Sequence, residues 1–255
     1  METMLETHDL GIRFGGLEAL KNFNFKIQKG EIVGIVGPNG AGKTTVLNLI
    51  SGVYSPTTGR IVFQDNEISG MRPHKITHLG ISRTFQNIRL IPSLSVLENV
   101  MLGGALRVRE SILDAMLMGP WVKKRREKWI QDAKTMLEYV GLKEILNMEA
   151  VSLPYGKQRE VEIARAIATR SRLLLLDEPA AGMSKMEKQN LVTLVRKLRD
   201  DMGMTIIIIE HDIKLVLELV DRVAVLDFGE KIADGEPNDV KSDPMVIKAY
   251  LGVKE

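Results

Sequence analysis

The sequence predicts an α/β fold in which helices cover both faces of a parallel β-sheet. Two short apolar runs, 173–176 and 206–209, have the length of buried strands, and an amphipathic helical pattern follows each of them. Continuous apolar strands that alternate with helices are typical of a parallel sheet. A third observation favours the same class, because a glycine-rich loop at 37–42 joins an apolar segment to a helical pattern.

The first 36 residues indicate β-structure. Segments 5–14, 23–27 and 32–36 are separated by the turn signals Gly15-Gly16 and Lys29-Gly30. The elements predicted after them are a helix over 44–51, strands over 60–64 and 80–85, a mostly helical region over 94–170, a strand over 173–176, a helix over 187–201, a strand over 205–209, a helix over 213–220 and a strand over 222–226. The layout is an α/β core with a small N-terminal antiparallel sheet and a helical insertion.

Composition excludes several classes of protein. The chain of 255 residues has 35 Lys+Arg and 33 Asp+Glu, and a net charge of +2 gives no support to nucleic-acid binding by bulk electrostatics. The absence of cysteine excludes a disulfide scaffold, a Cys-ligated metal and a thiol nucleophile. Residues 1–10 do not have the pattern of a signal peptide, and no window approaches the ~20 apolar residues of a spanning helix. We therefore expect a soluble, cytoplasmic protein that reaches a membrane only through a partner.

The loop at 37–44 matches the phosphate-binding pattern GxxxxGK[ST]. Glycines allow successive backbone N–H groups to point at an anion, and the helix N-terminus that follows adds partial positive charge. Lys43 is expected to reach the β- and γ-phosphates, and the Thr44 hydroxyl to bind Mg²⁺. The candidate nucleotide-binding residues of this region are Gly37, Pro38, Asn39, Gly40, Ala41, Gly42, Lys43, Thr44 and Thr45.

Polar residues follow both apolar runs, at the edge where an open parallel sheet binds ligands. Asp177 fits the role of holding Mg²⁺ directly or through water, and Glu178 that of a general base for the attacking water. His211 can hydrogen-bond the γ-phosphate or the water. Alone, His211 would more often be an ordinary capping or packing histidine, and its position 34 residues after Asp177 is what makes it a candidate. Gln86, which follows the strand-like segment 80–85, is weak evidence by itself because most glutamines are solvated.

Together these motifs resemble the nucleotide-binding subunits of ABC transporters over nearly the whole chain. The resemblance implies a P-loop NTPase (RecA-like) core at 1–88 and 165–255, with an N-terminal antiparallel β subdomain, and a helical signature subdomain at 89–164. It implies ATP and Mg²⁺ as cofactors. It also implies that Phe14 stacks on adenine, and that Gln86 touches Mg²⁺ or water and couples the core to the helical subdomain. The implied catalytic residues are Glu178, His211 and Gln86, and the implied metal-binding residues are Thr44, Gln86 and Asp177.

The family signature, LSGGQ, is altered in this chain. Residues 153–157 read Leu-Pro-Tyr-Gly-Lys, so only Leu153 and Gly156 match, and these two complete the expected nucleotide-binding set. Pro154 replaces the serine that contacts the γ-phosphate across a dimer, and proline has neither a hydroxyl nor a backbone N–H. Tyr155 removes the close approach that a glycine allows. Ser184 stands where the family usually has Asp.

These departures narrow the resemblance. The stretches LPYGKQREVEIARA and LLLLDEPAAGM, Phe85-Gln86-Asn87 and the insertion at about 103–130 are similar to ATP-binding subunits of branched-chain amino-acid importers. The resemblance implies hydrolysis of ATP to ADP and phosphate, with ATP-driven dimerisation moving the transmembrane subunits and hydrolysis resetting them. The implied partners are a second ABC ATPase subunit (LivF-like, forming a heterodimer), two transmembrane permease subunits and, indirectly, a solute-binding protein, with no nucleic acid. The implied location is the cytoplasmic face of the cell membrane.

A basic segment lies inside the helical insertion. Between 105 and 130 there are seven basic and three acidic side chains, with Trp121 and Trp129 among them. Such charge runs are usually the solvated face of a helix. A surface close to the membrane, where anionic lipids favour basic residues, is the interpretation that stays open beside it.

Other functions remain as alternatives. A soluble ABC ATPase that acts in DNA repair is disfavoured, because Lys43 and Asp177 are too close in sequence for a long coiled coil between them. A soluble ABC ATPase that acts in translation is disfavoured because the chain has a single cassette. An exporter or lipid-transport ATPase is disfavoured only by the signature variant. A P-loop kinase is disfavoured because Glu178 is placed to activate water. Within the importer class, urea or short amides stay open as solutes.

Overall fold

The computed structural model describes residues 2–105 and 120–251. The chain divides into two units, the first made of Met1–Gln86 and Arg172–Glu255 and the second of Asn87–Ser171. Residues 106–119, which include Arg107 and Arg109 of the basic segment, lie outside the described residues. No helix in the described ranges is both long enough and apolar enough to cross a lipid bilayer.

Two sheets form the first unit. Its strands are β1 (Thr3–Phe14), β2 (Leu17–Gln28), β3 (Ile32–Val36), β4 (Thr58–Phe63), β5 (Asn66–Glu67), β6 (Ile81–Arg83), β7 (Leu173–Asp177), β8 (Thr205–Ile209), β9 (Arg222–Asp227) and β10 (Glu230–Gly235). One sheet is antiparallel in the order β2-β1-β4-β5. The other has the order β10-β9-β3-β8-β7-β6, and all of its pairs are parallel except β10 with β9. The predicted α/β class is confirmed.

The parallel strands end at one edge of the sheet. Strands β3, β7 and β8 are buried at every position, which explains why their sequences are apolar throughout instead of alternating. In the sheet register Ile209 lies beside both Ile35 and Asp177. The segments that follow β3, β7 and β8 therefore emerge next to one another.

The helices are α1 (Lys43–Ile50), α2 (Pro73–Leu79), α3 (Val96–Ala105), α4 (Pro120–Tyr139), α5 (Tyr155–Ala168), α6 (Lys185–Met202), α7 (Ile213–Leu219), α8 (Pro237–Ser242) and α9 (Pro244–Leu251). The longest helix of the first unit, α6, begins at a capping box in which Ser184 and Glu187 bond each other's backbone N–H. It ends at Gly203, which has a left-handed conformation. Its buried side chains include Leu191, Val195 and Leu198, the spacing of an amphipathic helix.

The second unit contains α3, α4, α5 and two 3₁₀ turns, Lys143–Ile145 and Ala150–Ser152. Helices α3 and α5 pack closely, because a Cβ added to Gly103 would lie 2.0 Å from the carbonyl oxygen of Arg165. Trp129 of α4 donates its indole N–H to the carbonyl of Met101 at 2.9 Å. The segment predicted as mostly helical thus also contains tight turns and a β-bridge between Ser95 and Glu149.

Candidate functional site

The glycine-rich loop leaves β3 and enters α1 as a tight turn. Gly37 has φ 152°, and a Cβ there would lie only 2.1 Å from the carbonyl oxygen of Leu226. Only glycine fits such a position without a shift of the backbone. On the other side of the loop, the N–H of Gly229 donates to the carbonyl of Ala41 at 3.1 Å. The turn between β9 and β10 is therefore bonded to the loop and helps to hold its shape.

Lys43, the first residue of α1, points back over the loop. Its ammonium donates to the carbonyls of Gly37 and Pro38, both at 2.8 Å, and the residue is 6% exposed. Burial lowers the pKa of Lys43, while the Glu178 carboxylate acts in the opposite direction. The loop thus holds a positive charge where backbone N–H groups and a helix N-terminus already attract anions.

The three candidate catalytic side chains meet at the end of β7. One carboxylate oxygen of Glu178 lies 2.6 Å from Nε2 of His211, and the other accepts a hydrogen bond from the Gln86 amide at 2.7 Å. The ring nitrogen and the carboxylate oxygen are within hydrogen-bonding distance, and Nε2 donates in the tautomer that carries its proton there. The arrangement brings these three side chains together at the carboxyl edge of the sheet.

Glu178 has a strained backbone. Its φ is 47°, the left-handed region, which costs a non-glycine residue about 1–2 kcal/mol. Its N–H donates to the carbonyl of Ile209 at 2.9 Å, and this bond anchors the conformation to β8. Strain of this kind persists where the surrounding structure over-determines it, and it is concentrated at functional sites.

Asp177, the last residue of β7, forms a buried ion pair. Its Oδ2 lies 2.7 Å from the Arg83 guanidinium, and the two side chains are 3% and 7% exposed. Its Oδ1 is also buried and has no hydrogen-bond partner among the described residues. Arg83 was not singled out by the sequence, since a basic residue at the end of a short strand carries no signal of its own.

The donor set fits Mg²⁺. This ion prefers oxygen ligands and is usually bound through one or two carboxylates together with substrate phosphates. The free Oδ1 of Asp177 and the exposed Thr44 are such donors. Within the described part of the chain, no group of three or more His, Asp or Glu could hold a metal by itself.

Glu210 is a second buried carboxylate that sequence reasoning missed. It is 4% exposed and accepts hydrogen bonds from the backbone N–H of Ala180 at 2.5 Å and of His211 at 3.2 Å. Burial raises the pKa of Glu210, the nearby Glu178 carboxylate adds to the rise, and the two N–H donors oppose it. This side chain ties the loop after β7 to the loop after β8.

A cavity of about 470 Å³ opens over the phosphate loop. Phe14 lies on its wall, is 43% exposed, and makes an edge-on contact with Tyr54 at a centroid distance of 5.1 Å. Phe228 is exposed on the same wall. The other predicted residues on the wall are Asn39, Gly40, Ala41, Gly42, Lys43, Thr44, Thr45, Glu178 and His211. Gly37, Pro38, Gln86 and Asp177 belong to the same unit.

The two remaining candidates, Leu153 and Gly156, belong to the second unit, where both are buried at the start of α5. Pro154 occupies the N-cap position and provides no side-chain cap. The Tyr155 hydroxyl accepts a hydrogen bond from the Arg159 guanidinium at 3.0 Å. Arg159 pairs with Glu162 at 2.7 Å, and both side chains are 1% exposed. The altered signature is thus attached to a buried ion pair.

Comparison with protein families gives two matches. The family described as "ABC transporter" matches residues 20–181. The family described as "Branched-chain amino acid ATP-binding cassette transporter" matches residues 230–255.

Comparison with individual proteins agrees. The chain is 42% identical over 249 residues to the high-affinity branched-chain amino acid transport ATP-binding protein BraF of Pseudomonas aeruginosa, with 98% of each chain covered. It is 40% identical over 251 residues to LivG of Escherichia coli, a protein described in the same words, again with 98% of each chain covered. A solved structure, the ADP conformation of an ATP-binding cassette of an ABC transporter, is similar with a TM-score of 0.86 and 33% identity, covering 99% of this chain and 100% of that chain.

Proposed function

The chain belongs to the ABC transporter family of ATP-binding cassettes, and from this premise we propose that it is the ATPase subunit of an importer for branched-chain or other hydrophobic amino acids. Two kinds of observation support the solute class. The similar proteins BraF and LivG are branched-chain amino acid transport proteins, and the C-terminal family match has the same description. In this proposal the first unit is the nucleotide-binding core and the second is the signature subdomain.

The observation that carries the proposed hydrolysis is the placement of Glu178. Its carboxylate lies between His211 and Gln86, within electrostatic reach of Lys43. In the reaction Glu178 accepts a proton from the attacking water, and His211 and Gln86 fix the orientation of its carboxylate. Lys43 and the loop N–H groups compensate the charge of the β- and γ-phosphates. Phe14 offers an exposed aromatic face on which adenine can stack.

Mg²⁺ is proposed to bind at Thr44 and Asp177, with Gln86 close to it. When bound, Mg²⁺ would supply positive charge that stabilises the phosphate oxygens, and Thr44 and Asp177 are the residues that would hold it. Asp177 is suited to this position because one of its oxygens is already paired and the other has no hydrogen-bond partner in the part of the chain that the structure describes.

The proposed assembly contains two ATPase subunits and two transmembrane permease subunits, with a solute-binding protein acting indirectly. We propose that the partner ATPase is a different chain, since Pro154 removes the serine hydroxyl with which the signature would serve the partner's site. The two ATP sites are then unequal. The chain is proposed to lie at the cytoplasmic face of the membrane through its permease partners.

Uptake of labelled solutes tests the proposed importer. In cells that lack the gene for this chain, the wild type should restore uptake of labelled leucine, isoleucine and valine, and Lys43→Ala should not. Glu18→Gln is a matched control, because Glu18 lies on the same cavity wall and pairs with Arg13 at 2.9 Å. Restoration of urea or amide uptake alone would contradict the proposed solute class.

Purification in mild detergent tests the assembly. The tagged chain should be recovered with two permease subunits and a second ATPase, identified by mass. Matched substitutions of the phosphate-loop lysine in the two ATPase subunits should then reduce transport to different extents. Equal losses would contradict the proposed inequality of the sites.

A further inference from the structure

The buried ion pair of Arg83 and Asp177 also contacts α1, the helix that follows the phosphate loop. Arg83 ends β6 and Asp177 ends the neighbouring parallel strand β7. The guanidinium uses one terminal nitrogen, Nη2, for Oδ2 of Asp177. Oδ1 of the same carboxylate is left as a buried oxygen with no protein partner in the described ranges.

The other terminal nitrogen of Arg83 reaches the phosphate-loop helix. Nη1 donates to Oδ1 of Asn48 at 2.7 Å and to Oγ of Ser51 at 3.1 Å. Asn48 lies in the last turn of α1, and Ser51, three residues further on, is the C-cap residue of this helix. The Phe85 ring lies 5.3 Å from the guanidinium carbon. The planar group is therefore fixed on three sides, and its orientation determines which oxygen of Asp177 remains free.

We propose that Arg83 is a positioning residue that presents Oδ1 of Asp177 to Mg²⁺-nucleotide and couples this orientation to the helix that begins with Lys43. The inference rests on the proposed function, because it concerns the same metal. A carboxylate that ligates a metal is oriented by its hydrogen-bonded neighbours, and loss of such a neighbour typically costs about 10–100-fold in metal affinity. A buried carboxylate without its counter-charge is also strongly unfavourable.

The test measures nucleotide binding by the purified full chain, without reliance on hydrolysis. The affinity for fluorescently labelled ATP is determined in EDTA and across a Mg²⁺ titration for the wild type, Arg83→Lys and Arg83→Met. Both variants should raise the half-saturating Mg²⁺ concentration about 10–100-fold and leave the affinity in EDTA unchanged. Lysine should fail because a single ammonium cannot reproduce the fork that joins the carboxylate to α1.

Arg222→Met is the matched control. Arg222 is also a partly buried arginine with carboxylate partners, Glu31 and Asp234, and it stands 5.4 Å from the Phe25 ring. It lies at the start of β9, away from the carboxyl edge of the sheet. This variant should keep the wild-type Mg²⁺ requirement.

If Arg83→Met fails to fold, the double variant Arg83→Met/Asp177→Asn is measured instead, because it removes both charges of the buried pair. Its Mg²⁺ requirement should equal that of Asp177→Asn alone, because Arg83 acts through Asp177. A wild-type Mg²⁺ requirement in Arg83→Met and Arg83→Lys would overturn the proposal even if their melting temperatures fell. An ATP affinity that falls equally in EDTA and in Mg²⁺ would also overturn the proposal, since Arg83 would then support only the phosphate loop. ATP binding by the wild type that is indifferent to Mg²⁺ would instead refute the proposed function.

Discussion

Replacement of Glu178 by glutamine separates the proposed general base from its structural surroundings. The amide has the size of the carboxylate, but it cannot accept a proton from water. Its oxygen can still accept from Nε2 of His211, 2.6 Å away, and the Gln86 amide can rotate so that its oxygen faces the new NH₂ group. The backbone bond from residue 178 to Ile209 and the positive φ are unaffected by the change. ATP affinity should therefore stay close to that of the wild type.

Hydrolysis should fall by the contribution of a positioned base. Such a base typically accounts for about 10²–10⁴-fold in rate, which corresponds to about 3–5 kcal/mol of transition-state stabilisation. Because the ground-state contacts of Glu178→Gln can be kept, the loss should be in kcat and not in ATP affinity. The measurements are steady-state phosphate release and, separately, equilibrium binding of labelled ATP.

Glu18→Gln is the matched control for this prediction also. It removes the same charge from the wall of the same cavity, at a side chain that pairs with Arg13. Its phosphate release should equal that of the wild type. The reasoning is refuted if Glu178→Gln keeps a turnover similar to that of Glu18→Gln. If Glu178→Gln lost ATP binding together with hydrolysis, the reasoning would also be refuted, because Glu178 would then contribute to nucleotide binding and not act as the base.

Three other substitutions follow from the site. Gly37→Ala should abolish ATP binding in a titration with labelled ATP, because its Cβ would lie 2.1 Å from the Leu226 carbonyl oxygen; retained binding would contradict the tight turn. Lys43→Met should weaken ATP binding about 10–100-fold, because the charged hydrogen bonds to the phosphates are lost. Without nucleotide, the variant should unfold at the same temperature as the wild type or higher, because a buried ammonium is removed. Glu210→Gln should change the pH dependence of unfolding by denaturant. Burial raises the pKa of Glu210 above 4.5, so the folded protein holds this proton more tightly than the unfolded chain, and stability falls as the pH rises from about 4.5 through the raised pKa. In the Glu210→Gln variant, the free energy of unfolding should no longer fall with pH over this range. An unchanged dependence on pH would show that Glu210 does not titrate in this range.

Local patterns in the sequence predicted the central strands with small errors. The run 173–176 and the segment 205–209 correspond to β7 and β8, since strands buried on both faces must be apolar at every position. The N-terminal hairpin was predicted shorter than it is. β1 and β2 extend over Thr3–Phe14 and Leu17–Gln28, and their pairing is shifted between Thr7 and Leu10, which interrupts the alternation that indicates a strand.

The supporting residues of the candidate site could not be predicted in this way. Arg83 and Asp177 are 94 positions apart and meet because β6 pairs with β7 in the sheet. Glu210 reads as one more polar residue after a strand, and its role depends on the N–H of Ala180, 30 positions away. Neither contact has a sequence period or a fixed spacing that could indicate it.

The sequence by itself determined the class of fold and the residue types that bear the chemistry: a glycine loop with Lys43 and acids after a buried strand. These features are local, because the alternation of apolar and polar residues and the needs of a tight turn are satisfied within a few positions. Only the tertiary structure decided that, among the described residues, the Glu178 carboxylate meets His211 and Gln86 and that Oδ1 of Asp177 has no hydrogen-bond partner. The physical reason is strand register, since the order of strands in the sheet selects which distant side chains share a buried space.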